Sequence, residues 1–162
     1  MLLNVFICSF VSFNQTFHQL KLKGIAMTTE QNKALVRRVN KEFIEGGNMD
    51  TFNEIFAEDF VNYTAPPGSP KNRDGVIYFF NHLLKPAFPD LTVEIHDMIA
   101  EGEKVTTRKS FHATHKGEFF GIKPTGKKVV MEVIDIIELR NGKYIGHWGI
   151  LDMHSLMAQL TS

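Results

Sequence analysis

The sequence MEVIDIIELRNGKYIGHWGILD, at residues 131–152, decides the fold. Two runs of strand-forming residues meet at Asn141-Gly142, a dipeptide that accepts the positive φ angles of a type I′ turn. The stretch is therefore predicted to form one antiparallel hairpin with a two-residue loop.

A two-residue loop predicts which side chains share a face, because side chains alternate along a strand. One face is expected to be apolar, with Asp135 opposite Trp148, the only Trp of the chain. A carboxylate in such surroundings costs several kcal/mol unless it is paired or neutral, so each Asp there needs a partner or a function. This face is predicted to line a pocket, and its members are Val133, Asp135, Ile137, Tyr144, Trp148, Ile150 and Asp152.

The opposite face of the hairpin is predicted to hold Ile134, Ile136, Glu138, Ile145, His147 and Gly149. Its isoleucines are too apolar to remain in water, and no predicted helix is left to cover them. We therefore expect two subunits to pair sheet to sheet as a homodimer. His147 is interpreted as a residue of the sheet surface or of the dimer face.

The composition predicts one globular domain without a nucleic-acid or membrane partner. The 162 residues are 43% apolar and include 14 Phe, enough to bury a proper core. Lys plus Arg equals Asp plus Glu at 18 each, and no basic run occurs, so nothing marks a surface for nucleic acid or anionic lipid. A single cysteine, Cys8, excludes an intramolecular disulfide.

Residues 1–26 differ in composition from the rest and are predicted to be an N-terminal extension. The apolar run 2–13 has the length of a signal-peptide core and is too short to span a membrane. No Lys or Arg precedes it, and no small-residue cleavage site follows it closely. The segment is either a weak export signal or an upstream start before a cytoplasmic domain that comprises residues 27–162.

The remaining pattern predicts an α+β fold. Helical spacing begins at Thr29, a second short helix carries Phe52, a strand includes Phe60, and a third helix precedes Pro86. Everything after Asp90 is strand-like until a short final helix. Helices grouped before antiparallel strands indicate a strongly bent, mostly antiparallel sheet wrapped around three N-terminal helices, with an internal apolar pocket.

Several short motifs resemble the SnoaL-like polyketide cyclase and ester cyclase family over residues 27–162. The most specific is Asn-Gly-Lys-Tyr-Ile-Gly-His-Trp-x-x-x-Asp152, and weaker ones are Asp59-Phe-Val-Asn-Tyr, His115-x-Gly-x-Phe-x-Gly121 and Pro124-Thr-Gly-Lys127. The resemblance implies the cone-shaped fold shared with ketosteroid isomerases and nuclear transport factor, a deep apolar pocket, frequent dimers and no cofactor. It also implies ring closure by intramolecular aldol condensation, with the carboxylate matching Asp152 as acid and base.

Asp152 and Asp135 are the predicted catalytic residues. A carboxylate among apolar pocket residues would have a raised pKa and could take a proton from a carbon beside carbonyls. The alternative for Asp152 is a helix N-cap. The alternative for Asp135 is a structural pairing with the indole N–H of Trp148.

The predicted substrate-binding residues include Asn62 and Tyr63, which are adjacent on a strand, so that only one of them can face the pocket. No metal site is predicted, because His112 and His115 face opposite ways and no chelating spacing occurs. The full substrate-binding set is Trp148, Asn62, Tyr63, Ile150 and His115.

Two functions remain open from the sequence. One is a cofactor-free enzyme in which Asp152 moves a proton on a small apolar carbonyl compound, and the other is a non-catalytic protein that binds such a molecule. The best-known cyclases of the family carry a Gln and a His on the strand before the hairpin turn, where this chain offers Asp135, Ile137 and Leu139, so the pocket chemistry has changed. A raised pKa at Asp152 in a closed pocket favours the enzyme, and an exposed, ordinary carboxylate favours the binder.

Overall fold

The computed structural model describes residues 27–162, which adopt the predicted α+β fold. The predictions made for residues 1–26, export signal or upstream extension, lie outside the described residues. The elements are α1 (Thr29–Arg38, continued by a π-helical segment, Val39–Glu45), α2 (Met49–Ile55), β1 (Phe56–Asn62), α3 (Arg73–Tyr78, continued by a π-helical segment, Phe79–Leu84, and a turn, Lys85–Ala87), β2 (Thr92–Glu101), β3 (Lys104–Thr114), β4 (Lys128–Arg140), β5 (Lys143–Leu151) and α4 (Met153–Thr161).

Side-chain oxygens cap the N-termini of the three N-terminal helices. Thr28 and Gln31 form a reciprocal capping box at α1, while Asn48 and Asn72 accept backbone N–H groups at the starts of α2 and α3. These bonds satisfy N–H groups that have no partner inside a helix. The helices therefore begin at fixed points and present their apolar sides to the sheet.

The five strands form one open sheet in the order β1-β5-β4-β3-β2. β1 runs parallel to β5, and all other neighbours are antiparallel, as predicted for the last four strands. Along β4 every second side chain is buried, and those between are exposed except Glu138, which is half-buried. The inner face packs against the helices, and the largest fully buried apolar side chains of this core are Phe43, Phe52, Phe88, Leu35, Ile55, Leu84, Met131, Leu139 and Leu156.

The hairpin turn is confirmed. Asn141 and Gly142 have φ angles of 52° and 73°, the positive values that a type I′ turn needs. Leu139 lies opposite Tyr144 as predicted, but Glu138 lies opposite Gly146. The residue between Tyr144 and Gly146 is therefore unpaired, which is a β-bulge.

The bulge reverses the predicted faces of β5 from residue 147 onward. Asp135 lies opposite Gly149, and Ile136 lies opposite Trp148. A shift of one residue moves each following side chain to the other side of a sheet. Val133, Asp135, Ile137 and Tyr144 are buried on the inner face as predicted, but Trp148 and Ile150 lie on the outer face and His147 on the inner one.

None of the helices in residues 27–162 is both long and apolar enough to cross a membrane.

Candidate functional site

The inner face of the sheet holds a buried ion pair between β3 and β4. Nζ of Lys109 lies 2.7 Å from Oδ2 of Asp135, and the two side chains are only 2% and 7% exposed. Nζ also donates to Oδ1 of Asn40 over 2.8 Å, and the hydroxyl of Thr107 donates to Oδ1 of Asp135. Buried charges require such partners, because an unpaired ion in the interior costs several kcal/mol.

Asn40 is held in place by the helix that carries it. It lies in the π-helical continuation of α1, is 3% exposed, and its Nδ2 donates to the carbonyl of Val36 over 2.8 Å. That bond turns Oδ1 toward Lys109. π-Helical turns are frequent at functional sites, where they reposition single side chains.

His147 joins the ion pair from β5. Its Nε2 lies 3.9 Å from Oδ2 of Asp135, and its Nδ1 lies 3.0 Å from Oδ1 of Asn62. The same Oδ1 accepts the backbone N–H of Thr64, so this atom is an acceptor and Nδ1 of His147 must carry the proton. The lone pair of the neutral imidazole is therefore on Nε2, on the side of Asp135.

The surroundings keep His147 neutral. Burial lowers its pKa, the nearby carboxylate of Asp135 raises it in part, and the ammonium of Lys109 lowers it again. The net effect is a pKa below the ordinary histidine value, so the imidazole is unprotonated near neutral pH. Its side chain is 25% exposed, unlike the two charged neighbours.

Gly149 allows the imidazole of His147 to lie close to the backbone of β5. It lies opposite Asp135, and a Cβ built on it would lie 2.7 Å from Nε2 and 2.8 Å from Cε1 of His147. Real Cβ atoms do not approach so closely, so any larger residue would displace the ring. The absent side chain is therefore what allows His147 to keep this position.

Tyr144 contributes a buried hydroxyl on the same inner face. The residue is 2% exposed, and within residues 27–162 its hydroxyl has no hydrogen-bond partner. Burial raises its pKa well above the ordinary value, and the carboxylate of Asp135 adds to that effect. Tyr144 therefore keeps its proton and remains a potential donor.

The prediction that Asp152 lines the pocket with a raised pKa is wrong. Asp152 is exposed and caps α4, where Oδ1 accepts the backbone N–H of Ser155 over 3.0 Å and Oδ2 accepts its hydroxyl over 2.6 Å. These bonds lower the pKa of Asp152 below the ordinary aspartate value. The N-cap alternative is therefore the geometry that the structure has.

Trp148, Ile150 and Tyr63 are not on the inner face. The rings of Tyr63 and Trp148 stack on the outer side with centroids 4.4 Å apart and planes 7° from parallel, while Ile150 is 75% exposed. The predicted pairing of Asp135 with Trp148 is also wrong, because the bulge separates them onto opposite faces. Asp135 takes Lys109 as its partner instead.

Asn62 and His115 complete the predicted set. Asn62 contacts His147 and so belongs to the cluster, whereas Tyr63 stacks on Trp148 on the other side of the sheet. Only one of these two adjacent residues therefore faces inward, as predicted. His115 is fully buried, and its contacts are with Thr125 and the ring of Phe88 rather than with the ion pair. No group of three or more His, Cys, Asp or Glu in residues 27–162 is placed to hold a metal ion.

Four residues of the cluster are not among the predicted site residues: Lys109, Thr107, Asn40 and His147. Lys109 carried a readable signal, because it shares its strand face with Val105, Phe111 and Ala113, which are buried and apolar. A lysine at such a position needs a buried partner. No comparable pattern in the sequence indicates that the side chain of His147 faces inward, since its orientation depends on the bulge.

The chain is similar to known proteins over most of its length. The sequence model of the family described as SnoaL-like polyketide cyclase matches residues 34–160. No curated protein matches the chain.

The fold is shared with many solved structures. IdmH of Streptomyces antibioticus, a candidate polyketide cyclase, is 31% identical with a TM-score of 0.73, over 82% of this chain and 99% of IdmH. AclR of Streptomyces galilaeus, a candidate hydroxylase, is 26% identical with a TM-score of 0.72, over 82% of each chain. A candidate polyketide cyclase of Bacillus cereus is 28% identical with a TM-score of 0.67, over 78% of this chain and 77% of that one. The match of the family model to most of the chain, with these structures of the same fold, shows that the chain belongs to the SnoaL-like polyketide cyclase family.

Proposed function

We propose that the protein is an enzyme that performs acid–base chemistry on a small, uncharged, apolar carbonyl compound, with His147 as the proton-transfer group. The observation that carries the proposal is the neutral imidazole of His147, whose Nε2 lone pair lies beside the buried pair of Asp135 and Lys109. A general base works best when its pKa lies near the working pH and it is unprotonated before reaction.

The proposed reaction begins with a proton on a carbon next to a carbonyl. Nε2 of His147 takes that proton, and the electron pair of the broken C–H bond forms an enolate. Attack of the enolate carbon on a second carbonyl of the same molecule closes a ring, and the resulting alkoxide takes the proton back from the imidazolium. Asp135, 3.9 Å from Nε2, would stabilise the imidazolium while it exists.

The charge balance of the cluster supports an uncharged ligand. The ammonium of Lys109 and the carboxylate of Asp135 cancel, and His147 is neutral, so no net charge remains to attract an ion. Two of the similar structures are described as candidate polyketide cyclases, which supports ring closure on a compound with several carbonyls. AclR is described as a candidate hydroxylase, so the fold alone does not fix the reaction.

Binding without chemistry is the second candidate function. It is favoured by the exposed position and lowered pKa of Asp152, which leave the family's acid–base position without a buried carboxylate. The ion pair of Lys109 and Asp135 is also satisfied by its own neighbours. The two functions differ in whether the protein accelerates removal of a proton from carbon.

The test uses 5-nitrobenzisoxazole, an apolar probe that opens with a colour change when a base removes its C–H proton. The rate should rise with pH through a pKa below about 6.5 and then stay level, because the base is the unprotonated form and burial lowers its pKa. The measurement is kcat/KM against pH, compared with free imidazole at equal concentration. A protein that binds the probe but gives no acceleration supports the binding function instead.

We also propose that two subunits associate through the outer face of the sheet. Ile134, Ile136 and Ile150 are 54%, 37% and 75% exposed there, and all three lie on adjacent strands. Contiguous apolar surface of this kind marks protein interfaces.

Light scattering at tens of micromolar should give the mass of a dimer. The double variant of Ile134→Glu and Ile150→Glu should give a monomer that keeps its fold. A monomeric unmodified protein contradicts the proposal.

A further inference from the structure

We propose that Thr64 is a positioning residue that, through Asn62, holds His147 as the Nδ1–H tautomer and so keeps Nε2 available as a base. This inference rests on the proposed function of His147 and adds the part of the chain that sets its tautomer. Thr64 follows β1 and is exposed, outside the buried cluster.

The hydroxyl of Thr64 connects two parts of the site. It accepts the backbone N–H of Gly149 over 2.9 Å and donates to Oδ1 of Asn62 over 3.2 Å. Gly149 is the residue opposite Asp135, and Asn62 is the partner of His147. One hydroxyl therefore ties the strand that carries the base to the amide that orients it.

Three hydrogen bonds converge on Oδ1 of Asn62. The donors are the backbone N–H of Thr64 at 3.1 Å, its hydroxyl at 3.2 Å and Nδ1 of His147 at 3.0 Å. The two bonds from Thr64 fix which end of the amide faces the imidazole, because an NH₂ group could not accept them. A reversed amide would donate to Nδ1 and move the proton to Nε2, which would remove the base.

The backbone around this turn holds it against β5. The N–H of Tyr63 donates to the carbonyl of His147 over 2.8 Å, and the N–H of Asn62 donates to the carbonyl of Lys71 over 2.6 Å. Thr64 extends the β1–β5 pairing by one more contact, in which its hydroxyl takes the place of a backbone carbonyl. The turn therefore has little freedom to reorient while that hydroxyl is present.

The amide of Asn62, in place of a carboxylate, also affects the pKa of His147. Aspartate at position 62 would place a negative charge 3.0 Å from Nδ1 and favour the imidazolium. The other charged groups that face His147 are Asp135 and Lys109, whose effects oppose each other. Asn62→Asp should therefore raise the pKa of His147 and move the rise of the pH–rate profile upward.

The test is Thr64→Val, which keeps the shape and removes the hydroxyl. Nitrogen NMR of the imidazole should show Nδ1–H in the unmodified protein and a mixture of tautomers in the variant, with the rate on 5-nitrobenzisoxazole lowered about tenfold, the upper end for one hydrogen bond. Thr64→Ser, which restores the hydroxyl, should recover both readouts. Unfolding of the variant by urea should stay cooperative, which separates positioning from loss of fold.

The two proposals fail in different ways. If Thr64→Val folds and keeps the unmodified tautomer and pH profile, Thr64 does not position His147, whatever the base is. If Thr64→Val changes the tautomer while the protein shows no acceleration of the probe, the positioning role stands and the catalytic role of His147 falls. If Asn62→Asp leaves the pKa of His147 unchanged, the contact between the two residues is absent in solution and the inference is overturned.

Discussion

Replacing His147 with glutamine is expected to lower the rate on 5-nitrobenzisoxazole by about 10²–10⁴-fold, the usual contribution of a general base. Glutamine has a similar size but no group that takes up a proton near neutral pH. The pH dependence should disappear along with the rate, because it reflects the lowered pKa of the imidazole. Since His147 is already neutral at pH 7, stability there should change little.

Asp152→Asn is the matched control for that variant. Asparagine caps helices as well as aspartate does, so α4 should keep its start and the protein its melting temperature. Asp152 is exposed and its carboxylate is bonded to Ser155, so we expect an unchanged rate. The opposite pattern, an active His147→Gln and an inactive Asp152→Asn, would return the catalytic role to Asp152.

Lys109→Met is expected to destabilise the protein by about 3–5 kcal/mol, the usual result of removing one partner of a buried ion pair. Methionine fills a similar volume, but it leaves the carboxylate of Asp135 buried without its cation and Oδ1 of Asn40 without a donor. The measurement is the free energy of unfolding in urea at neutral pH.

Arg108→Met gives a control on the same strand. Arg108 pairs with Asp97 over 2.6 Å, but the two side chains are 52% and 59% exposed. Exposed pairs contribute about 0–1 kcal/mol, so this change should be small. The double variant of Lys109→Met and Asp135→Asn should be more stable than Lys109→Met alone, because it removes the unpaired charge. Equal losses for Arg108→Met and Lys109→Met would show that the pair is not buried in solution.

Most of the fold could be predicted from local sequence patterns. The order of helices and strands, the type I′ turn at Asn141 and Gly142 and the burial of Asp135 all follow from periodicity and turn chemistry. Such features depend on neighbours in sequence, which are visible in a single chain. The family followed from the same stretch, and the match over residues 34–160 agrees with it.

The candidate site was predicted only in part. Asp135 and Asn62 belong to the cluster, whereas Trp148, Ile150 and Tyr63 lie on the other side of the sheet. The cause is the bulge at residue 145, one unpaired residue that exchanges the faces of everything after it on β5. The sequence at residue 152 is compatible with either a helix cap or a buried base, and the exposure of Asp152 in the structure separates the two.

The sequence by itself determined that Asp135 would be buried and would need a partner, because an alternating apolar strand leaves a carboxylate at that position no access to water. The sequence did not determine which residue would be the partner of Asp135. Lys109 and Asn40 are far from Asp135 along the chain and come within hydrogen-bond distance of one another only when α1, β3 and β4 pack together. The inward orientation of His147 was also decided by the tertiary structure, because register in a hairpin is set by pairing across the strands as well as by the turn that joins them.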